Sequence, residues 1–144
     1  MMNQNEDIRK RLETRVKEVP HLRGAVIASV DGLLRYMSGF TYLPSPGNDA
    51  HKDCTAGEKR AAMASTLANL ANQVSAFEGT GSAMNTIIES ERGFCVVGVA
   101  GQRTVIAFYA DANADLGQVG YELARLSKQL AGPLDLEYRT AGVA

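Results

Sequence analysis

Three stretches of this sequence are apolar without interruption: 24–28, 94–100 and 104–110. The last two are separated only by Gly101-Gln102-Arg103, too short for a crossover helix, so they pair antiparallel. An antiparallel strand with one wet face alternates apolar and polar residues. These runs do not alternate, so both faces of their sheet must be covered. That predicts a three-layer α/β (α+β) sandwich with helices above and below the sheet.

The remaining elements follow from periodicity. Ile8, Leu12, Val16 and Val19 recur at helical spacing and stop before Pro20. Asp31-Gly32 between apolar runs predicts a hairpin joining strands at about 23–30 and 33–39, with both turn residues at positive φ. Residues 41–56, with Pro44, Pro46 and Gly47, read as a long surface loop. Residues 57–77 read as the longest helix, and Gly79-Thr80-Gly81 breaks the chain after it. An extended run over 83–90 then precedes the two apolar strands. Asp115 caps a last helix whose stripe is Leu116, Val119, Leu123, Leu126 and Leu130, and Gly132-Pro133 ends it. Gly117 and Gly120 inside that helix suggest close packing on the sheet. The order is α-β-β-α-β-β-β-α, with a five-stranded antiparallel sheet. One domain over 8–132 is expected, with 1–7 and 133–144 as flexible termini.

The chemistry of the chain is sparse. Among its 144 residues are two histidines and two cysteines. His51, Asp53 and Cys54 share the long loop, but no second Cys/His pair completes a tetrahedral metal site. Cys54 has only His51 as a candidate base, and Cys95 reads as a small buried hydrophobe. Gly79-Thr80-Gly81-Ser82 lacks the P-loop spacing and follows a helix rather than a strand. No catalytic residue, cofactor or metal is expected, and the chain reads as a non-enzyme. Net charge is −1, which gives no pull toward nucleic acid or an anionic membrane. The N-terminus has no apolar signal region and no run is long enough to span a bilayer, so a cytoplasmic protein is expected, reaching a membrane only through partners.

The long helix carries the strongest functional signal. Met63, Leu67, Leu70, Val74 and Phe77 form a large apolar stripe, expected to face the sheet. Ala61, Ala64, Ser65, Ala68, Ala71 and Asn72 form a small-residue stripe, expected to meet a second copy of the helix. A helix of that length does not bury two stripes in one small domain without a partner. The run 83–90, low in charge and free of proline, would be an exposed edge if terminal in the sheet. Pairing across a two-fold axis would remove it. The expected dimer interface is therefore the small stripe together with Asn85, Ile87 and Glu89.

Three motifs in this order resemble the Roadblock/dynein-light-chain family: Gly24-Ala-Val-Ile-Ala-Ser-Val-Asp-Gly-Leu33, the Ala-rich helix 58–77, and Asp115-Leu-Gly-Gln-Val-Gly-Tyr-Glu-Leu123. The resemblance covers about 8–132, and the loop 41–56 is longer than the family pattern. It implies sheet order 2-1-5-4-3, with the third strand at the edge, and a homodimer formed through that strand and the long helix. Bacterial members include gliding-motility regulators that act on a Ras-like small GTPase. The nearest resemblance is to the Roadblock component of actinobacterial conservons, operons that also encode a histidine-kinase-like sensor. The implied function is a homodimeric regulator that modulates the nucleotide cycle of a Ras-like GTPase in signal transduction. The alternative is a passive dimeric adaptor with no preference for nucleotide state. The family supplies no universal catalytic residue, and Arg60, Arg92 and Arg103 are each conceivable only as solvated charges or as an arginine finger.

Overall fold

The computed structural model describes residues 3–40 and 50–142. Its elements are α1 (Gln4–Glu18), β1 (Leu22–Ser29), β2 (Leu34–Gly39), α2 (Ala50–Glu78), β3 (Asn85–Ser90), β4 (Gly93–Ala100), β5 (Thr104–Asp111) and α3 (Leu116–Gly142). The five strands form one antiparallel sheet in the order β2-β1-β5-β4-β3. That is the expected order of elements and the strand order the family resemblance implies.

The continuous apolar runs are explained by what covers them. Successive side chains of a strand point to opposite faces. Ala25, Ile27, Val96, Ile106, Phe108 and Ala110 pack under α1 and α3 with Ile8, Leu12, Leu123, Leu126 and Leu130. Their neighbours Val26, Val97, Val105 and Ala107 pack under α2 with Ala64 and Ala68. β1, β5 and β4 are therefore dry on both sides, while β2 and β3 are the two edges.

Helix ends are capped by side chains. The Asn3 carboxamide oxygen accepts from the Glu6 N–H at 2.8 Å, and Asp115 Oδ1 accepts from the Gly117 N–H at 3.0 Å. The β1–β2 hairpin differs in detail from expectation. Only Gly32 has positive φ, at 91°. The Ser29 carbonyl accepts from Gly32 N–H at 2.9 Å and the Ser29 hydroxyl accepts from Leu33 N–H at 3.1 Å, so the connection is a turn followed by one left-handed glycine.

Two boundaries are corrected. α2 begins at Ala50, so residues 50–56, read as loop, are helical. The rest of that predicted loop, 41–49, and the side chains of His51, Asp53 and Cys54 lie outside the described residues. α3 does not stop at Gly132-Pro133; it runs through Pro133 to Gly142. A proline inside a helix costs about 3 kcal/mol, and tertiary contacts beyond it offset that loss. Leu134 is fully buried, Asp135 Oδ1 accepts from the Gln102 N–H at 3.0 Å, and Tyr138 accepts from Arg103 at 2.8 Å. Glu137 takes both Arg35 and the Tyr36 hydroxyl of β2. Residues 133–139 are thus packed structure rather than a loose tail, and Gln4–Asp7 form the first turn of α1. Close packing does not account for Gly120, where a Cβ would meet open space, and nothing in the structure explains it.

Candidate interaction face

α2 spans 29 residues, a rod of about 43 Å. Its two stripes are the reverse of the expected assignment. Ala61, Ala64, Ser65 and Ala68 are buried against the sheet of their own protomer, at 5% exposure or less. Met63, Leu70, Val74 and Phe77 are 58, 54, 55 and 89% exposed. The cause is the distance between layers. Small residues bring the α2 backbone close to Val26, Val97, Val105 and Ala107, and the glycines facing the helix fit the same approach. A Cβ at Gly57 of α2 would lie 2.8 Å from Met37 Sδ, and one at Gly32 would lie 3.1 Å from Ser65 Oγ. Most bulky side chains do not fit in that gap and are turned outward; Leu67 is the exception, partly buried against the same cluster.

The other expected interface residues remain at the surface or beside it. Ala71 is half-buried and lines a groove between α2 and β3. Asn72 is exposed, and its Oδ1 accepts from the Ala83 N–H at 3.2 Å, tying the helix to the segment before β3. Asn85, Ile87 and Glu89 are exposed on β3. Their register against Gly98, Val96 and Phe94 places them on the α1/α3 face of the sheet. Among the described residues, β3 pairs as a strand only with β4 and is the edge of the sheet. Ile87 and Ile88 point to opposite faces, and both are exposed, as is Met84 just before the strand.

The outward stripe of α2 and the bare β3 edge meet along a groove of about 470 Å³ lined by Leu70, Val74, Met84 and Ile87, among others. Contiguous exposed apolar surface of this kind marks an interaction site. Met63, Leu70, Val74, Phe77, Met84 and Ile88 are the members of this face that the sequence reading did not assign to it. The signal was present: a second helical-period stripe of large side chains beside a stripe of small ones.

Among the described residues, no group of three or more His, Cys, Asp or Glu side chains could hold a metal ion. Among them too, no helix is long and apolar enough to cross a membrane. Burial pushes the Cys95 thiol up to about 11, against hydrogen bonding from Tyr109, so it is a poor nucleophile at neutral pH. Burial also raises Tyr109, with Cys95 adding to the effect. Tyr36 is raised first by burial and then by its hydrogen bond to Glu137. The three arginines considered as fingers have different settings. The Arg60 guanidinium lies 3.8 Å from the Phe40 ring centroid, and Arg103 lies 4.6 Å from that of Tyr138. Arg92 is exposed in the β3–β4 turn.

The chain is a three-layer α/β domain with one closed face, and with an exposed apolar helix stripe and an edge strand on the other side. The fold is that of the Roadblock/LC7 domain. The chain is similar to the Roadblock/LC7 domain from Streptomyces avermitilis, with 28% identity over 88% of this chain and 96% of that one, and a TM-score of 0.73. It shares its fold with the gliding protein MglB from Thermus thermophilus, at 20% identity, 92% coverage of each chain and a TM-score of 0.75. An MglB with a tetrameric arrangement matches at 19% identity, with 92% and 91% covered and a TM-score of 0.75. No protein-family model and no curated protein matches the sequence. The resemblance to the Roadblock family read from the three sequence motifs is borne out.

Proposed function

We propose that this chain is a homodimeric regulator that binds a Ras-like small GTPase and modulates its nucleotide cycle, without catalytic chemistry of its own. One observation carries the self-association: the apolar stripe of α2 runs into the unpaired edge of β3, and a two-fold copy would cover both at once. The tetrameric arrangement of one structural neighbour, an MglB, supports that half of the reading. The GTPase half is supported by the Roadblock resemblance. A regulator of this kind works by binding one switch conformation of its partner more tightly than the other, which shifts their populations.

The test uses the purified chain and the Ras-like GTPases of its source organism, loaded with GDP or a non-hydrolysable GTP analogue. Unequal affinity for the two states, with a change in hydrolysis or exchange rate, is expected. Equal affinity with no rate change would make the chain an adaptor. Failure to bind either nucleotide state would sink the GTPase reading.

A further inference from the structure

The end of the sheet that carries the β3–β4 turn holds a second hollow, of about 310 Å³, whose lining includes Arg23, Ile88, Ser90, Arg92, Cys95 and Tyr109. Its described lining carries only cationic charge, with Glu91 exposed beside Arg92 in the same turn. Among the described residues, the side chains of Arg23 and Arg92 make no ion pair or hydrogen bond, and no carboxylate lines the hollow. Asp111, in register with Gly93, is turned to His21, whose Nδ1 lies 3.5 Å from its Oδ2. Glu89 is registered on Phe94, on the other face of the sheet. The net charge of the whole chain is only −1, so this concentration of cations is local.

The floor is apolar and held in place. Tyr109 stands between Cys95, which it reaches by hydrogen bond, and Arg60, whose guanidinium is 5.7 Å from its ring. Phe40 meets the Tyr109 ring edge-on at 5.4 Å and adopts φ of 61°, a costly conformation for a bulky residue. It is kept there by a 2.6 Å hydrogen bond from its N–H to the Arg23 carbonyl. Gly24 beneath it admits the ring, since a Cβ there would lie 2.6 Å from ring carbons. The strained turn therefore fixes the strand position from which Arg23 projects.

We propose that this hollow receives a carboxylate side chain from an acidic segment of a partner protein, with Arg23 and Arg92 holding the carboxylate and Ile88 and Cys95 packing its methylenes. A guanidinium fork matches a carboxylate, and the side chains of Ile88 and Cys95 suit an aliphatic stem better than a hydrated free anion. The hollow shares β3 with the apolar face, so one partner could span both. This extends the partner-binding reading above but is read out separately from it.

The probe is a capped hexaglutamate peptide, followed by amide chemical shifts of the full chain, with inorganic phosphate as a second probe. The peptide should move the Ser90, Gly93 and Ala110 amides, and its affinity should fall as salt rises from about 0.05 to 0.3 M. R23E/R92E should weaken it by roughly tenfold or more, with the rest of the spectrum unchanged. R23Q/R92Q replaces it should charge reversal disturb the fold. Absence of those shifts, their survival in the double variant, or equal affinity for phosphate overturns the proposal. A GTPase that binds wild type and R23E/R92E equally removes this hollow from that interface and leaves the regulatory reading standing. Peptide binding at the hollow without any GTPase binding has the reverse meaning.

Discussion

The two sides of the sheet are built on different principles. Under α1 and α3, most of the fully buried residues are large: Ile8, Leu12, Ile27, Ile106, Phe108, Leu123, Leu126, Leu130 and Leu134, beside the smaller Ala25, Val96 and Val119. Under α2 they are small or medium: Val26, Ala64, Val97, Val105 and Ala107. The first layer is closed by its own chain. In the second, the helix lies close and flat, and all but Leu67 of its stripe of bulky residues are exposed. Burial free energy scales with apolar area, about 25 cal/mol per Å². The α1/α3 side is therefore the main source of protomer stability, and the α2 side holds apolar area in reserve for association.

Substitutions on the two sides should separate these roles. Leu126→Ala on the α1/α3 side should cost the most, about 2–5 kcal/mol in urea unfolding, because it empties a site with no exposure. Ala68→Leu on the α2 side should cost less, about 1–3 kcal/mol, by lifting the helix off the sheet. A larger loss from Ala68→Leu than from Leu126→Ala would break the contrast.

Alkaline pH sharpens it further. The Cys95 thiol stays protonated in the fold to about 11, while in the unfolded chain it ionises near its ordinary 9.0. The unfolded chain then binds fewer protons, so stability falls as pH rises above about 9 and through 11. Tyr109 and Tyr36, both raised, extend the fall at higher pH. Cys95→Ala should flatten the early part, on the α2 side, and Tyr36→Phe only the later part. An unfolding curve whose early loss survives in Cys95→Ala contradicts this order.

The smallest effect on protomer stability is expected from Phe77→Asp. At 89% exposure it should change stability by no more than about 0.5 kcal/mol between monomers. Its effect should appear instead in the solution mass, measured by light scattering, which should drop from dimer to monomer. An unchanged mass would place the interface elsewhere. A glutamate at Ala64 or Ala68 would be a poor probe of association, because those positions are inside the protomer and the charge would unfold it.

Much of the architecture was legible because it is written in local pattern. The runs 94–100 and 104–110 with a three-residue gap admit little but a covered antiparallel pair, and the Asp115 cap marks a helix start, whereas the Asn3 cap that starts α1 was not read from the sequence. The orientation of α2 was not legible in the same way. Both of its stripes have helical period, and periodicity gives the angle between them, not which one faces in. That choice depends on the spacing between layers, a tertiary quantity set partly by Gly32 and Gly57. Gly132-Pro133 reads as a stop by local rule, and long-range partners such as Gln102 and Arg35 override it. The basic hollow joins Arg23 on β1 to Arg92 in the β3–β4 turn, far apart in the chain, so no spacing motif could have announced it.

The passage of α3 through Pro133 bears on where this fold can be cut. A fragment ending at Gly132 would match the extent of the family resemblance and still be incomplete. It would open the floor beneath Leu134, strip the Tyr36 hydroxyl of its carboxylate and leave Arg35, only 20% exposed, charged with nothing opposite. For this chain, the packed structure continues past the proline at which the sequence pattern ends. A fusion or affinity handle belongs after the helix rather than at the proline.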